Sequence, residues 1–300
     1  MKKGRLLCRT AIRPGNSSYS REWLPKKWDA LPYAYGSHEF SAYYVWSDGN
    51  HLYYSANSVT ASGVTYKNQF VLNGDKWERK NWSGVPDVFL ARYIWTDGVD
   101  VYCSNYSTQL VLKDGVWTEK IWEGVVPKGG SGIWSDGENI YHSWDDEHCV
   151  LVNGKWEPKT WNYSVRPRAS YIWSDGENVY STYNSVTIVL IGDTWVEKNW
   201  EGFNPPYGDD IWSDGAKVYY SKTTSASKND QYVLDGGVWK PITWRGLSEE
   251  YELSGYNVWS DSRGIYYGSE FILAEDHTDY TAMTQGWIVG KRLAAMRGKA

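Results

Sequence analysis

A four-residue motif that recurs along the chain constrains its fold more than any other feature. The motif reads Trp-Ser-Asp-Gly or a close variant, and its six copies begin at Trp46, Trp95, Trp134, Trp173, Trp212 and Trp259. Successive copies begin 39 to 49 positions apart, and the last copy has Ser262 in place of glycine. Repeats of this period are typical of propellers and solenoids, in which one small unit cannot bury its apolar surface alone.

A second tryptophan pattern accompanies the motif. Two tryptophans five positions apart follow each of the first five copies: Trp77 and Trp82, Trp117 and Trp122, Trp156 and Trp161, Trp195 and Trp200, Trp239 and Trp244. The sixth copy has no such pair after it, but Trp23 and Trp28 precede the first copy with the same spacing. Six units of three therefore account for 18 of the 20 tryptophans. We expect these 18 rings to pack in the core, because a ligand site need not recur in every unit.

Each unit carries the signals of four short strands. Residues 171–180 contain two aromatic and β-branched runs joined by Asp-Gly, a pair that favours the tight turn of a hairpin. Residues 187–198 contain two more runs joined by Gly192 and Asp193. The pattern predicts an antiparallel meander of strands A to D in every unit. It also assigns the motif aspartates to hairpin turns and not to a metal site.

The displaced pair Trp23 and Trp28 indicates how the units assemble. Neighbouring sheets must cover the aromatic faces of each unit, and a closed ring also protects the sheet edges. A solenoid would instead need atypical capping units at both ends. We therefore predict an all-β, six-bladed β-propeller over residues 21–280, in which the N-terminal segment supplies the last strand of the C-terminal blade. Residues 1–20 are predicted as an N-terminal extension and residues 281–300 as a C-terminal tail.

The blade plan resembles that of the Kelch family of propellers. Both place a turn glycine, a following aromatic residue and a downstream tryptophan once in every blade, here from about Trp23 to Leu273. The sequence departs from that family where a Kelch blade carries a Gly-Gly doublet after its second strand, since it reads 53–55 Tyr-Tyr-Ser in the first unit. The resemblance implies the propeller fold and does not imply a particular partner.

The net charge, the cysteine content and the absence of familiar catalytic motifs argue against several classes of function. A net charge of −5 gives no broad positive field for a nucleic acid, and no apolar run is long enough to span a membrane. The N-terminus has a basic start without the apolar run of a signal peptide. The three cysteines fit neither a disulfide framework nor a four-cysteine zinc site. We expect no catalytic residue, no metal and no cofactor.

One local cluster is a candidate metal site by composition. Residues 142–149 hold two histidines, three carboxylates and Cys149. Ligands so crowded in a loop usually point apart, and charged ones are solvated. We interpret the segment as a solvated connection between strands B and C.

The two ends of the predicted blades differ in sequence. The A–B and C–D turns share one end, the turn face, and are short and uniform. The B–C connections and the links from strand D into the next blade share the other end, the loop face, and carry most of the length variation. Variable loops on a rigid frame are the usual place for recognition. Aromatic and arginine residues that do not repeat are the candidates for binding there: Trp144, Tyr163, Arg166, Arg168, Phe203 and Tyr207.

The C-terminal segment departs from the repeat. Residues 286–300 are similar to the C-termini of tail-associated proteins encoded by phages and prophages of Gram-positive bacteria. Helix-forming residues and a cationic end make residues 291–297 a candidate docking helix, with a frayed basic tail as the alternative. The residues that would dock are Trp287, Lys291, Arg292 and Arg297.

Three functions compete on this reading. The first is a non-enzymatic binding and structural module of a phage or prophage-derived particle, located in the virion, that recognises a bacterial surface glycan or other virion and tail subunits. The second is a cytoplasmic scaffold or lectin-like interaction domain. The third is a glycan-acting propeller hydrolase, which would require at least two carboxylates that converge in one depression with perturbed ionisation.

Overall fold

The computed structural model describes residues 22–31, 40, 42–59, 65–66, 68–86, 89–105, 108–125, 129–144, 147–224, 227–247, 253–261 and 263–274. Six separate sheets, each built on four antiparallel strands, follow the six motif copies, and we number them blades 1 to 6 in that order. The predicted six-bladed β-propeller is confirmed. Within the described ranges no helix has the length and apolar character needed to cross a membrane. The predicted extension 1–20 and the tail 281–300, with its docking residues, lie outside the described residues.

The strands follow the order A to D from the inside of each blade to its outer edge. Strands A are Val45–Ser47, Ile94–Thr96, Ile133–Ser135, Ile172–Ser174, Ile211–Ser213 and Val258–Asp261. Strands B are Leu52–Val59, Val101–Asn105, Ile140–Trp144, Val179–Tyr183, Val218–Thr224 and Gly264–Tyr267. Strands C are Gln69–Asn73, Thr108–Lys113, Glu147–Val152, Val186–Ile191, Ser227–Asp235 and Phe271–Leu273. Strands D are Lys76–Arg79, Val116–Glu119, Lys155–Pro158, Thr194–Lys198, Val238–Pro241 and, for blade 6, Trp23–Pro25.

Blade 6 is completed by the N-terminal segment, as the tryptophan spacing predicts. Trp23 pairs with Leu273 and Pro25 with Phe271 in an antiparallel register. The amide of Ala274 donates to the carbonyl of Glu22 at 2.7 Å, so the two ends of the described chain lie side by side. Main-chain hydrogen bonds between remote segments therefore close the ring.

The repeated tryptophans fill the space between neighbouring blades. In blade 4 the motif ring of Trp173 stacks on Tyr180 at 4.4 Å and on Trp200 at 5.9 Å between ring centroids. The strand D tryptophan of the next blade, Trp239, meets Trp173 edge-on at 6.1 Å. The same four-ring arrangement recurs at the other five blade interfaces, including Trp259 with Tyr266, Trp28 and Trp77 where the ring closes. Fifteen of the 18 repeated tryptophans are buried, and Trp28, Trp82 and Trp244 are half-buried against the core, so the expectation that they pack in the core is confirmed.

The polar edges of the motif rings are satisfied inside the blade. The indole nitrogen of Trp173 donates to the hydroxyl of Thr182 at 2.9 Å. A serine takes the place of the threonine in blades 1, 2, 3 and 5, and the carbonyl of Gly268 takes it in blade 6. Each buried ring is thereby fixed in one orientation.

The motif aspartates organise the A–B turns. In blade 4 one carboxylate oxygen of Asp175 accepts the backbone N–H groups of Glu177 and Asn178, and the other accepts the hydroxyl of Tyr180 at 2.8 Å. Because Ser174 pairs with Val179, the loop holds four residues and is longer than the two-residue turn that Asp-Gly suggests. The assignment of these aspartates to turns is confirmed, and the tyrosine contact explains why a carboxylate recurs there.

The links between blades run differently from the sequence-based prediction. Before it reaches strand A, each link pairs in parallel with the beginning of strand D of the next blade. Between blades 3 and 4, for example, the amide of Asn162 donates to the carbonyl of Asp193 in a C–D turn, and Tyr163 pairs with Trp195. The first part of each link therefore lies on the outer rim near the turn face. Only its last part belongs to the loop face.

Candidate functional site

Six short 3-10 turns form a continuous ring on the loop face. Each turn leads directly into a strand A, and each contacts the turns of both neighbouring blades. The turns are Ala42–Tyr44, Ala91–Tyr93, Gly130–Gly132, Ala169–Tyr171, Gly208–Asp210 and Gly255–Asn257. Since strands A are the innermost strands, this ring surrounds the centre of the propeller on the loop face.

Close backbone contact explains why three of the six turns begin with glycine, and the other three begin with alanine, the smallest residue with a Cβ atom. A Cβ atom built on Gly208 would lie 2.1 Å from the carbonyl oxygen of Tyr171 in the preceding turn. The same construction on Gly255 would place Cβ 2.2 Å from the carbonyl oxygen of Asp210. No residue with a Cβ atom fits at either glycine without a shift of the backbone. The first residues of the turns thus form a closely packed frame. The other residues of each turn can differ from blade to blade.

The third position of each turn does differ between blades. It is Tyr44, Tyr93, Gly132, Tyr171, Asp210 or Asn257, in the order of blades 1 to 6. The chemistry of the ring therefore changes around the propeller, from aromatic in blades 1, 2 and 4 to acidic in blade 5. Tyr93, Gly132 and Asp210 are buried, so the position is available for recognition only in blades 1, 4 and 6.

Three tyrosines meet on this ring between blades 4 and 5, and we call them the tyrosine cluster. The ring centroid of Tyr171 lies 5.0 Å from that of Tyr183 and 5.9 Å from that of Tyr207. The centroids of Tyr183 and Tyr207 are 5.7 Å apart. All three side chains are partly exposed.

Backbone contacts hold the elements that carry the cluster. Tyr183 ends strand B of blade 4, and Tyr207 lies on the link from blade 4 to blade 5. An antiparallel bridge joins the backbones of these two residues. The amide of Ser185 donates to the carbonyl of Pro206 at 3.1 Å. The B–C turn of one blade and the link into the next thus form one surface.

Two cations cover faces of the cluster. The guanidinium carbon of Arg168 lies 4.0 Å from the ring centroid of Tyr183, and the ammonium nitrogen of Lys222 lies 4.2 Å from that of Tyr207. Lys222 also forms an ion pair with Asp210 at 3.2 Å. Such cation–π contacts hold long side chains in place at a surface that remains accessible.

The electrostatic surroundings keep the central tyrosine protonated. Burial raises the pKa of the Tyr171 hydroxyl, and the nearby carboxylate of Asp209 raises it further, while Arg168 acts in the opposite direction. At neutral pH the Tyr171 hydroxyl is therefore a neutral hydrogen-bond donor and acceptor.

The structure brings two of the six predicted binding residues together. Arg168 and Tyr207 both contact Tyr183 of the tyrosine cluster. Phe203 instead packs inward, with its ring parallel to that of Tyr232 at 3.8 Å and close to the buried Tyr220 at 5.2 Å. One face of its ring is therefore occupied.

The other three predicted residues belong to blade 3 and to the link that follows it. Trp144 ends strand B of blade 3 and is half-buried. Tyr163 lies on the outer rim, where it pairs with strand D of blade 4 and contacts His148 at 6.3 Å between ring centroids. Arg166 is half-buried in the same link. Whether these residues bind a partner stays a prediction.

Sequence reasoning missed Tyr171, Tyr183 and Lys222. Tyr171 and Tyr183 lie in or beside predicted strands, where aromatic residues look like core positions. One signal was available: the third position of the 3-10 turn and the end of strand B differ between units, in contrast to the repeated aromatic positions.

The segment that resembled a metal site by composition is part of the sheet. His142 and Cys149 are paired across strands B and C, and both side chains are buried. The interpretation of residues 142–149 as a solvated connection was wrong, because the strands extend to Trp144 and begin again at Glu147. Burial raises the pKa of the Cys149 thiol to about 12, so the thiolate is disfavoured at neutral pH. No group of three metal-binding side chains occurs among the described residues.

A shallow cavity of about 150 Å³ lies on the turn face between blades 2 and 3. Its lining includes Asp97, Glu138 and Asn153. The Asp97 carboxylate already accepts two backbone N–H groups and the hydroxyl of Tyr102. The hydrogen bonds of this carboxylate are therefore made within its own blade, where they stabilise the A–B turn.

Comparisons with known proteins do not assign the chain to a family. No protein-family model matches the chain, and no curated protein matches it. A solved structure that it resembles is the extracellular domain of a suggested one-component system from B. thetaiotaomicron, at 15% sequence identity and a TM-score of 0.44. The alignment covers 78% of this chain and 33% of that one, so the chain spans about a third of that protein's length. The chain's own six sheets show that its fold is a six-bladed β-propeller, and a tyrosine cluster lies on the loop face.

Proposed function

We propose that the chain is a non-enzymatic recognition module that binds a neighbouring protein subunit through its loop face. The observation that carries this proposal is the tyrosine cluster with its stacked cations. Tyrosine and arginine are the residues that most often anchor protein interfaces, because they combine large contact area with hydrogen-bonding groups. Here they are presented by a closely packed ring that needs little ordering when a partner binds.

The covered ring faces favour a protein over a glycan as the partner. A sugar stacks on an open aromatic face, but Arg168 and Lys222 already occupy one face each of Tyr183 and Tyr207. The ring of Tyr171 is inclined to both neighbours, by 44° to Tyr183 and 39° to Tyr207. The cluster therefore offers ring edges, hydroxyl groups and cationic groups, which suit the mixed surface of a protein. A bacterial surface glycan is the competing partner.

The geometry of blade 6 supports a second function for the opposite face. Strand C ends at Leu273 and strand D begins at Trp23, so the described chain both starts and ends on the turn face. Residues 1–21 and 275–300 adjoin this single point. We propose that one or both of these segments attach the propeller to a larger particle, which leaves the loop face directed away from it.

The resemblance of residues 286–300 to phage and prophage tail proteins leads us to propose that this particle is a phage or prophage-derived virion. The Kelch-like blade plan is compatible with this role but does not argue for it. It describes only the spacing of glycine, aromatic residue and tryptophan within a blade. Detection of the chain in purified particles by mass spectrometry tests the location. Its presence only in the cytoplasm would instead favour the scaffold hypothesis.

Site-specific photocrosslinking tests recognition by the loop face. A photoreactive phenylalanine analogue at Tyr207 should crosslink to a protein when it is introduced in producing cells. The control carries the same analogue at Glu177, which is exposed in the A–B turn of blade 4 on the opposite face. A discrete adduct from position 207 and none from 177 is the expected result. Adducts from 177 alone, or a carbohydrate adduct from 207, would contradict the proposal.

A further inference from the structure

The arginine of the tyrosine cluster is fixed along both its backbone and its side chain. The amide of Arg168 donates to the hydroxyl of Ser181 at 3.0 Å, and its carbonyl accepts the amide of Tyr171 at 2.9 Å. Its guanidinium carbon then lies over the ring of Tyr183 at 4.0 Å from the centroid. The residue is therefore preorganised, although its side chain is exposed.

The contact with Tyr183 leaves N–H groups of the guanidinium available. The five N–H groups of a guanidinium spread around its planar edge, so a single aromatic ring cannot take up all of them. Within the described part of the chain, Arg168 has no carboxylate within 4 Å, whereas Lys222 beside it is paired with Asp210. The two cations of the cluster are thus unequal, and only Arg168 retains its full capacity for an anion.

The guanidinium of Arg168 has a shape that suits a carboxylate. The planar fork of a guanidinium matches the two oxygens of a carboxylate in a bidentate geometry. The partly buried rings of Tyr183 and Tyr207 reduce the access of water on one side, which strengthens such a bond.

We propose that Arg168 is the anchor of the recognition site and binds an aspartate or glutamate side chain of the partner, so that the partner segment is an acidic peptide. This inference rests on the proposed function of the loop face. It adds the chemical class of the recognised group and the residue that selects it. The interaction requires no residue outside the described part of the chain.

Selection of peptides tests the inference without knowledge of the natural partner. The probe is a random octapeptide library displayed on yeast and sorted for binding to the 300-residue chain. A second probe, an oligomer of galacturonic acid, presents carboxylates on a sugar. The expected result is an enrichment of Asp and Glu among the selected peptides and no binding of the galacturonic acid oligomer. For a selected peptide, R168Q should weaken binding roughly tenfold to a hundredfold, as loss of charged hydrogen bonds does.

Matched variants separate this role from simple packing. R168K keeps the charge but loses the planar fork, so binding should fall between those of the wild type and R168Q. K198Q removes another cation that stacks on an aromatic ring in blade 4, Lys198 over Trp200 at 4.9 Å, and should bind the peptide like the wild type. Thermal melting of all three variants confirms that each is folded.

Several outcomes would overturn the inference. Selected peptides without acidic enrichment, or equal affinities of wild type and R168Q, would remove Arg168 as the anchor. Binding of the galacturonic acid oligomer in place of peptides would assign the carboxylate to a sugar. A library that yields no binder also contradicts the inference. The proposed function is tested separately. It would be contradicted by the absence of a photocrosslink from position 207, whatever the peptide selection shows.

Discussion

Trp28 donates its indole N–H to the carbonyl oxygen of Ser269 at 2.9 Å, across 241 positions of sequence. Its ring also stacks on Trp259 at 5.6 Å, in the place that a link tryptophan of the same blade occupies elsewhere in the propeller. The N-terminal segment thus supplies both an outer strand and an interface ring to blade 6. The ring of blades, and with it the loop face, depends on this segment.

Truncation tests that dependence. Removal of residues 1–30 should unfold the protein or convert it to oligomers, because blade 6 then loses its strand D and exposes the edge of strand C. Removal of residues 1–20 leaves Trp23–Pro25 intact and should preserve a folded monomer. Light scattering after size-exclusion chromatography, together with thermal melting, distinguishes the two. A well-folded monomer from the longer deletion would refute the closure.

The interface tryptophans should dominate stability. Trp195 is buried and contacts Trp134 and Trp161 across the interface between blades 3 and 4. Trp195→Ala should lower the free energy of unfolding by about 3 to 5 kcal/mol, as removal of a large core ring does. Glu197→Ala, at an exposed position of the same strand, should change it by less than about 0.5 kcal/mol. Chemical denaturation measures both, and similar effects of the two variants would contradict the packing account.

The motif aspartate should contribute more to the free energy of unfolding than the tyrosine hydroxyl that it binds. Asp175→Ala removes the acceptor of two backbone N–H groups and of Tyr180, and should cost about 2 kcal/mol of unfolding free energy. Tyr180→Phe removes only the last of these bonds and should cost about 1 kcal/mol. The same denaturation experiment applies. If Tyr180→Phe were the more damaging change, the turn would not depend on the carboxylate.

Alkaline pH should destabilise the propeller through the motif tyrosines. Burial, followed by the adjacent motif aspartate, raises the pKa values of Tyr53, Tyr102, Tyr141, Tyr180 and Tyr266 above the ordinary 10.0. Above about pH 10 the unfolded chain releases these protons while the folded chain retains them, so stability must fall as the pH rises. Melting temperatures between about pH 8 and pH 11 should decrease in the upper part of that range. Constant melting temperatures would show that these hydroxyls titrate normally.

The fold could be read from the sequence because its core is repeated. Trp23 and Trp28 matched the spacing of five internal pairs, and only a shared blade explains their displacement. The four-residue A–B loop and the parallel pairing of Tyr163 with Trp195 could not be predicted in the same way. Both are backbone hydrogen-bond arrangements, and neither leaves a distinct pattern of side chains.

The candidate site was predicted only in part for a related reason. Arg168 and Tyr207 were recognisable because they interrupt the repeat on variable loops. Tyr171 and Tyr183 resemble strand residues of a core, and their proximity depends on how the B–C turn of blade 4 meets the next link. His142 and Cys149 show the opposite case, in which a polar composition suggested a loop but the residues are buried in the sheet.

The affinity of Tyr207→Ala for the subunit captured by photocrosslinking tests the central claim most directly. Calorimetry with the purified subunit should show binding at least about tenfold weaker than that of the wild type, as expected for an interface anchor, with an almost unchanged melting temperature. Trp195→Ala should show the reverse, a large loss of stability and a normal affinity of the fraction that remains folded. Unchanged affinity of Tyr207→Ala, or a loss of affinity that only follows a loss of stability, would contradict recognition through the tyrosine cluster.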